Sequence, residues 1–137
     1  MSVINIQTMH YINLLDTASR VKTRKCYAYN GMIIFAVPRQ FLSQAIGPNA
    51  SNIKFMNDKL GKRIRIIEEA TGLTDAQRFV ADIVSPVGFK SLEIKDGVFV
   101  LTAGMQSKAA LLGRNKRRYE ELRQILKDTF NLELKIV

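Results

Sequence analysis

The sequence predicts an α/β (α+β) protein built from two copies of one module, each with the order α-β-β-α-α-β and a three-stranded mixed sheet covered by helices. The first observation is a pair of hairpin signals, Asn30-Gly31 and Asp96-Gly97, which supply the positive φ angles of a two-residue type I′ turn. The second is that these signals lie 66 positions apart, an offset that Gly47 and Gly113 also keep. A repeat at a fixed offset is typical of duplicated structural units.

In the first copy, apolar residues at helical spacing predict a helix over residues 8–21. Aromatic and β-branched residues on both sides of Asn30-Gly31 predict strands at 25–29 and 32–37. Two further helices, 39–46 and 51–60, and a closing strand, 63–67, complete the copy. We expect the strands before and after the helix pair to be parallel, with a right-handed crossover between them.

The second copy repeats this order. Thr74 and Gln77 have the spacing of a capping box at the start of a helix, which Pro86 ends. Strands are expected at 89–95, 98–102 and 132–137, and helices at 106–112 and 117–130. The offset between the copies rises from 66 to 70 after Met56 and Leu122, so the last helix of the second copy should be one turn longer. We therefore place two domains at residues 1–70 and 71–137.

The composition favours a globular protein that binds a polyanion. Of the 137 residues, 47% are hydrophobic, whereas 21 are basic and 12 are acidic, which gives a net charge of +9. Such an excess is typical of proteins that bind nucleic acids. Because no apolar run approaches the roughly 20 residues that span a bilayer and no secretion signal is visible, we expect a cytoplasmic protein with no membrane partner. The single cysteine, Cys26, excludes an internal disulfide and a multi-cysteine zinc site.

The first candidate site is the turn that joins the two central helices of the first copy, Gly47-Pro48-Asn49-Ala50, followed by Ser51. A glycine here lets the chain reverse and brings the backbone close to a ligand. The helix that follows presents free N–H groups and the positive end of its dipole, which suit a phosphate. In the alternative interpretation, Gly47 is only the C-cap of an ordinary connection between helices.

The corresponding turn of the second copy is strongly basic. Arg114, Lys116, Arg117 and Arg118 place four cations within five residues at the start of a helix, where each positive charge opposes the helix dipole by about 0.3–1 kcal/mol. A bound anion would offset this unfavourable interaction. The alternative is a solvated basic helix end that has no ligand.

The order of elements, together with Ile-Gly-x-x-Ala-Ser-Asn-Ile at residues 46–53, resembles the prokaryotic (type II) KH domain. Two such modules in a chain of this length resemble the archaeal NusA-type transcription factors, over residues from about 8 to 137. KH domains grip about four single-stranded nucleotides with a Gly-x-x-Gly loop. Here the second loop glycine is replaced by Ala50 in the first copy and by Lys116 in the second. The asparagine of the family at the helix start is kept as Asn52, and its counterpart in the second copy is Arg118.

The resemblance implies a single-stranded RNA-binding factor in transcription termination or antitermination, with the nascent transcript and RNA polymerase as partners. We expect a monomer without a cofactor or a small-molecule substrate. The expected RNA-binding residues are those of the two helix junctions: Gly47, Pro48, Asn49, Ala50, Ser51, Asn52, Lys54, Gly113, Arg114, Asn115, Lys116, Arg117 and Arg118.

Other interpretations of the sequence stay open at this point. Because Ala50 and Lys116 replace glycine, the chain could instead be a KH-fold adaptor that docks on RNA polymerase or the ribosome with little direct RNA binding. An enzyme is not expected, since the acidic residues are scattered and His10 is the only histidine. Tyr27 and Tyr29 on the first hairpin either stack on a base or pack in the core.

Overall fold

The computed structural model describes residues 5–137 of the chain. These residues form two compact units, with the boundary between Glu69 and Ala70. Each unit contains one three-stranded sheet and has the order α-β-β-α-α-β, which confirms the predicted order of elements. Within residues 5–137, no helix is long and apolar enough to cross a membrane.

The first unit begins with its longest helix and ends with a strand. Its elements are α1 (Ile6–Ser19), β1 (Lys25–Tyr29), β2 (Met32–Val37), α2 (Leu42–Ile46), α3 (Ser51–Leu60) and β3 (Arg63–Glu68). The bounds of β1, β2 and α3 are those predicted. The helix predicted at 39–46 has a 3₁₀ first turn, Arg39–Phe41, ahead of α2. Helix α1 begins two residues earlier than predicted because the side chain of Asn5 caps it, accepting a hydrogen bond from the Thr8 N–H at 2.8 Å.

The second unit has the elements α4 (Ala76–Val84), β4 (Ser91–Lys95), β5 (Val98–Thr102), α5 (Met105–Leu112), α6 (Arg117–Phe130) and β6 (Glu133–Ile136). Helix α6 has 14 residues, whereas its counterpart α3 has 10. The predicted additional turn is therefore confirmed. Strand β4 begins two residues later than predicted, and β6 is one residue shorter at each end.

The predicted capping box at the start of α4 is wrong. Thr74 lies inside a 3₁₀ turn, Leu73–Asp75, and no side chain caps the helix. The carboxylate of Asp75 instead accepts hydrogen bonds from the Thr71 N–H at 2.9 Å and from the Thr71 hydroxyl at 2.8 Å. These hydrogen bonds lower the pKa of the Asp75 carboxyl group. The carboxylate of Asp75 thus bonds to a residue four positions earlier, whereas a capping box joins residues three positions apart.

Each sheet is mixed, with its second strand in the centre. Strand β2 pairs antiparallel with β1 and parallel with β3, and β5 pairs in the same way with β4 and β6. The predicted parallel pairing is therefore confirmed in both units. The turns Asn30-Gly31 and Asp96-Gly97 have positive φ at both residues, as a type I′ hairpin requires. Because β3 and β6 are edge strands, one side of each is left for contacts with the neighbouring helix or with a ligand.

The core of the first unit joins all its layers. Leu15 of α1, Phe35 of β2, Ala45 of α2 and Met56 of α3 are fully buried in one cluster, and Ile66 of β3 is almost so. Burying a large apolar side chain stabilises a fold by roughly 1.5–3 kcal/mol. This cluster therefore fixes the α2–α3 pair, and the loop between them, on the sheet.

In the second unit, aromatic rings connect the first helix, the central strand and the last helix. The ring of Phe130 lies edge-on to those of Phe79 and Phe99, with centroid distances of 5.8 and 5.4 Å. Phe130 belongs to the additional turn of α6, so this turn contributes directly to the core.

Candidate nucleic-acid interface

The two loops between the central helices begin with a glycine that no other residue can replace without strain. Gly47 has φ +80° and ψ 163°, and Gly113 has φ +72° and ψ 176°, a region that essentially only glycine occupies. A Cβ atom on Gly47 would lie 2.6 Å from Ser51 Oγ, and one on Gly113 would lie 2.5 Å from Arg118 Cγ. Both glycines also end the preceding helix, since their N–H groups donate to the carbonyl four residues earlier. The two glycines thus act as C-caps, as the alternative interpretation held, and they also leave room for the close approach of the next helix.

The third and fourth residues of both loops have left-handed backbone conformations. Asn49 and Ala50 have φ of 54° and 59°, and Asn115 and Lys116 have φ of 56° and 58°. For a residue with a side chain, this conformation costs roughly 1–2 kcal/mol, and asparagine tolerates it best. The N–H of the fourth residue donates to the carbonyl of the loop glycine in each case, at 3.1 Å in the first loop and 3.2 Å in the second. The two loops therefore follow the same backbone path although two of their four residues differ.

No side chain caps the helix that follows either loop, since the N-cap positions are Ala50 and Lys116 themselves. Pro48, Asn49 and Ser51 are exposed around the first helix start. The positive end of the α3 dipole is thus accessible from solvent beside the first loop.

Asn52 has a supporting position behind the first loop. Its Nδ2 donates to the Gln44 carbonyl at 3.1 Å, and Gln44 Nε2 donates to the Ser19 carbonyl at 3.0 Å. These two bonds connect the first turn of α3 through α2 to the end of α1. The amide of Asn52 therefore holds the loop in place, and a Cβ atom on Gly47 would lie 2.8 Å from it.

The second loop carries most of the exposed charge. Arg114, Lys116 and Arg117 are exposed, and within residues 5–137 no ion pair is formed by any of them. Arg118 differs, because its guanidinium pairs with Glu121 at 2.9 Å and its side chain is only 17% exposed. Three of the four predicted cations are thus available to an anion, and the fourth is held against α6.

The structure also contains a groove, and only one of the residues that line it was expected from the sequence. In the first unit, a groove of about 300 Å³ lies between α3 and β3. Apolar side chains and cationic ones share its lining, which consists of Met32, Ile53, Ile64, Lys54, Asn57, Arg63 and Arg65. Of these only Lys54 was among the expected site residues. The alternation of arginine and isoleucine in β3 was the available signal, but only the packing of α3 beside this edge strand turns it into a groove.

Two polar groups of the groove also have contacts within the protein. Asn57 Nδ2 donates to the Lys62 carbonyl at 2.8 Å, and Arg63 Nη2 donates to the Asn30 carbonyl at 3.1 Å. A guanidinium has five N–H donors, so Arg63 retains donors for a ligand while this bond orients it. The groove therefore offers an apolar floor and cations, of which Arg63 is oriented by a hydrogen bond within the protein.

Other candidate residues have structural roles. Tyr27 and Tyr29 are only 9% and 4% exposed, so they pack in the protein and do not form a stacking surface. Burial raises the pKa of the Cys26 thiol to about 12, which makes it a poor nucleophile. Among residues 5–137, no group of three or more histidine, cysteine, aspartate or glutamate side chains could hold a metal ion.

Comparisons with known proteins point in one direction. No protein-family model matches the chain. A Halococcus morrhuae protein named "Probable transcription termination protein NusA" is 21% identical over 91% of this chain and 90% of its own length. Proteins of the same name from Methanocaldococcus jannaschii and Methanococcus vannielii are 24% and 25% identical, over 85% and 67% of this chain. This chain spans only 64% and 51% of those two relatives.

Among solved structures, the crystal structure of APE1850 is similar to this one, with a TM-score of 0.66 and 25% sequence identity over 98% of this chain and all of that one. The curated relatives show that the chain is distantly similar to NusA-type transcription termination proteins, in accord with the resemblance seen in the sequence. The names of these relatives are those of termination factors and not of enzymes.

Proposed function

We propose that this chain is a NusA-type transcription factor that binds single-stranded RNA through two type II KH domains, residues 1–70 and 71–137, and acts in termination or antitermination. Its ligand is the nascent transcript, and RNA polymerase is its protein partner. The proposal needs no cofactor and no catalytic residue.

The observation that carries the proposal is the shared backbone path of the two loops. Asn49 and Ala50 in one unit, and Asn115 and Lys116 in the other, have φ values within 2° of each other at equivalent positions. Strained conformations persist where the surrounding structure over-determines them, and they cluster at ligand sites. A connection that served only to reverse the chain would not need the left-handed conformation at Ala50 and Lys116.

In the proposed mechanism, each loop holds the phosphate backbone of RNA. Gly47 and Gly113 bring the main chain close to the strand, and the uncapped starts of α3 and α6 supply positive dipole ends. Arg114, Lys116 and Arg117 add charge at the second loop, so that loop contributes more long-range attraction. Because counterions are released from the strand, log K should fall with log salt by about 0.7 for each phosphate neutralised.

The α3–β3 groove then receives bases of the same strand. A base can cover the apolar floor formed by Ile53 and Ile64 while Lys54, Arg63 and Arg65 face the backbone or the polar edge of the base. Single-stranded RNA suits such a groove because its bases are free of pairing and can be splayed out.

The adaptor is the competing function, and the observation that favours it is the replacement of the second loop glycine by Ala50 and Lys116. A loop whose second glycine has been lost could keep its shape only for a protein contact. Direct binding to RNA separates the two functions, since an adaptor would bind polymerase or ribosome but not free RNA.

The test is fluorescence anisotropy with a short single-stranded RNA at low salt. We expect Pro48→Asp with Asn49→Asp, and Arg114→Asp with Asn115→Asp, each to weaken binding by at least about tenfold, because they bring negative charge to the phosphates. The matched control is Gln7→Asp with Asn13→Asp on the exposed side of α1, which changes the net charge as much as the first pair. Circular dichroism checks that every variant is folded.

Unchanged binding in both loop variants would contradict the loop-centred mechanism. An equal loss in the control would show that net charge alone sets the affinity. No binding by the wild type at low salt would favour the adaptor.

A further inference from the structure

In the second unit, a row of side chains on α6 connects the helix to the edge strand β6. The Tyr119 hydroxyl donates to the Leu134 carbonyl at 2.7 Å. One turn further along, Arg123 pairs with Glu133 at 3.4 Å, and after another turn Lys127 pairs with the same carboxylate at 3.3 Å. Residues four apart lie on one face of a helix, so these three side chains span the space between α6 and β6 along three turns.

The equivalent residues of the first unit make no such connection. Counted from the first residues of α3 and α6, Ile53 and Asn57 lie at the positions of Tyr119 and Arg123. In the strands that follow, the offset of 70 places Arg63 at the position of Glu133. Isoleucine has no hydroxyl to donate, and Asn57 donates instead to the Lys62 carbonyl. Lys127 lies in the additional turn of α6, for which α3 has no counterpart. The space that is a groove in the first unit is thus bridged in the second.

Two positions of these equivalent spaces also carry charges of opposite sign. Lys54 and Arg63 of the first groove correspond to Glu120 and Glu133. Both carboxylates are paired with Arg123, which lies 3.0 Å from Glu120, and the contacts with Lys127 and Arg123 lower the pKa of Glu133. A phosphate strand entering this space would have to displace those cations and approach the two carboxylates.

We infer that the two units divide the recognition of RNA: the α3–β3 groove accepts bases, whereas the α6–β6 space is closed by Tyr119, Arg123 and Glu133, so that the second unit binds phosphates alone through its basic loop. The inference rests on the proposed function and assigns all base discrimination to the first unit. The second unit then anchors the strand without regard to its sequence.

The test compares a single-stranded RNA with an abasic oligonucleotide of the same length and the same number of phosphates, by fluorescence anisotropy. The wild type should prefer the RNA by about tenfold or more, since only the RNA can cover the apolar floor of the groove. Ile53→Tyr with Arg63→Glu gives the first groove two residues of the second unit, and should reduce the preference to about twofold or less. Arg63→Glu alone, at an exposed position, repeats the test with less change to the core.

The matched variant is Arg114→Ala with Lys116→Ala and Arg117→Ala in the second loop. It should weaken binding of both oligonucleotides by at least about tenfold but leave the ratio of their affinities unchanged. A third variant, Arg123→Asn with Glu133→Arg, gives the α6–β6 space residues of the first unit and should increase the preference for RNA. Thermal unfolding followed by circular dichroism establishes that each variant is folded.

A preference for RNA that survives both changes in the first groove would overturn the inference while leaving the proposed function intact. The same holds if the preference is lost in the second-loop variant. Failure of the wild type to bind either oligonucleotide would overturn the proposed function, and the inference with it.

Discussion

Replacing Gly47 by alanine tests whether the first loop needs glycine for its conformation and for the close approach of α3. The residue has φ +80° and ψ 163°, and holding alanine there costs about 1–3 kcal/mol. The new Cβ would lie 2.8 Å from Asn52 Nδ2, so the bond from Asn52 to the Gln44 carbonyl would be displaced, at about 1 kcal/mol. Alanine also lowers the conformational entropy of the unfolded chain, which stabilises the folded protein by about 0.4–1 kcal/mol. The net expected loss is about 2 kcal/mol.

The assay is thermal unfolding followed by circular dichroism, because the chain contains no tryptophan. For a domain of 60–100 residues, 1 kcal/mol corresponds to about 4–8 °C, so the transition of the first unit should fall by roughly 10 °C. Two controls separate the causes of this loss. Gly31→Ala, at φ +73° in open space, should lose only the conformational part, about 1 kcal/mol.

Gly104→Ala, at φ −67° with nothing near its Cβ position, should change stability by less than about 0.5 kcal/mol. If Gly47→Ala is no less stable than Gly104→Ala, the first loop does not require glycine for its conformation.

Three further predictions concern single side chains. Cys26, with its pKa raised to about 12, should be about one part in 10,000 thiolate at pH 8 and should react with a thiol reagent far more slowly in the native protein than in urea. Lys116→Gly should stabilise the second unit slightly, by up to about 1 kcal/mol in chemical unfolding, because it relieves a left-handed lysine. Ion pairs lower the pKa of Glu133, so its contribution to stability should be present above the ordinary pKa of a glutamate and be lost as the pH falls through the lowered pKa. The free energy of unfolding of Glu133→Gln should therefore be smaller than that of the wild type at neutral pH, and the two values should converge in acid.

Much of the fold could be predicted because its signals are local. Asn30-Gly31 and Asp96-Gly97 can hardly form anything but tight turns between strands, so the bounds of β1, β2 and β5 follow directly. The shift of offset from 66 to 70 likewise predicts the additional turn of α6, since four residues are about one turn. The error at the start of α4 has a physical reason: Thr74 and Gln77 have the right spacing, but the preceding 3₁₀ turn leaves no N-cap geometry for Thr74 to use.

The two loops of the candidate site could be described from the sequence because their signals are also local. The loop glycines and the cations beside Gly113 are contiguous in sequence, and their composition indicates a phosphate. The α3–β3 groove joins residues as distant as Met32 and Arg65, and the bridge from Tyr119 to Leu134 depends on the packing of a helix against an edge strand. Such contacts between elements have no signal in a single sequence. The burial of Tyr27 and Tyr29 also could not be decided from the sequence, because both faces of this hairpin carry apolar residues and only the packing shows which face is covered.

The central claim is that the chain binds single-stranded RNA through its two helix-junction loops. The most direct measurement is the dissociation constant for a short single-stranded RNA as a function of salt, for the wild type and for Arg114→Asp with Asn115→Asp. We predict binding that weakens linearly on a log–log scale, by about 0.7 per phosphate neutralised, and a smaller slope in the variant. Absence of binding at low salt, or an affinity that does not respond to salt, would contradict the claim.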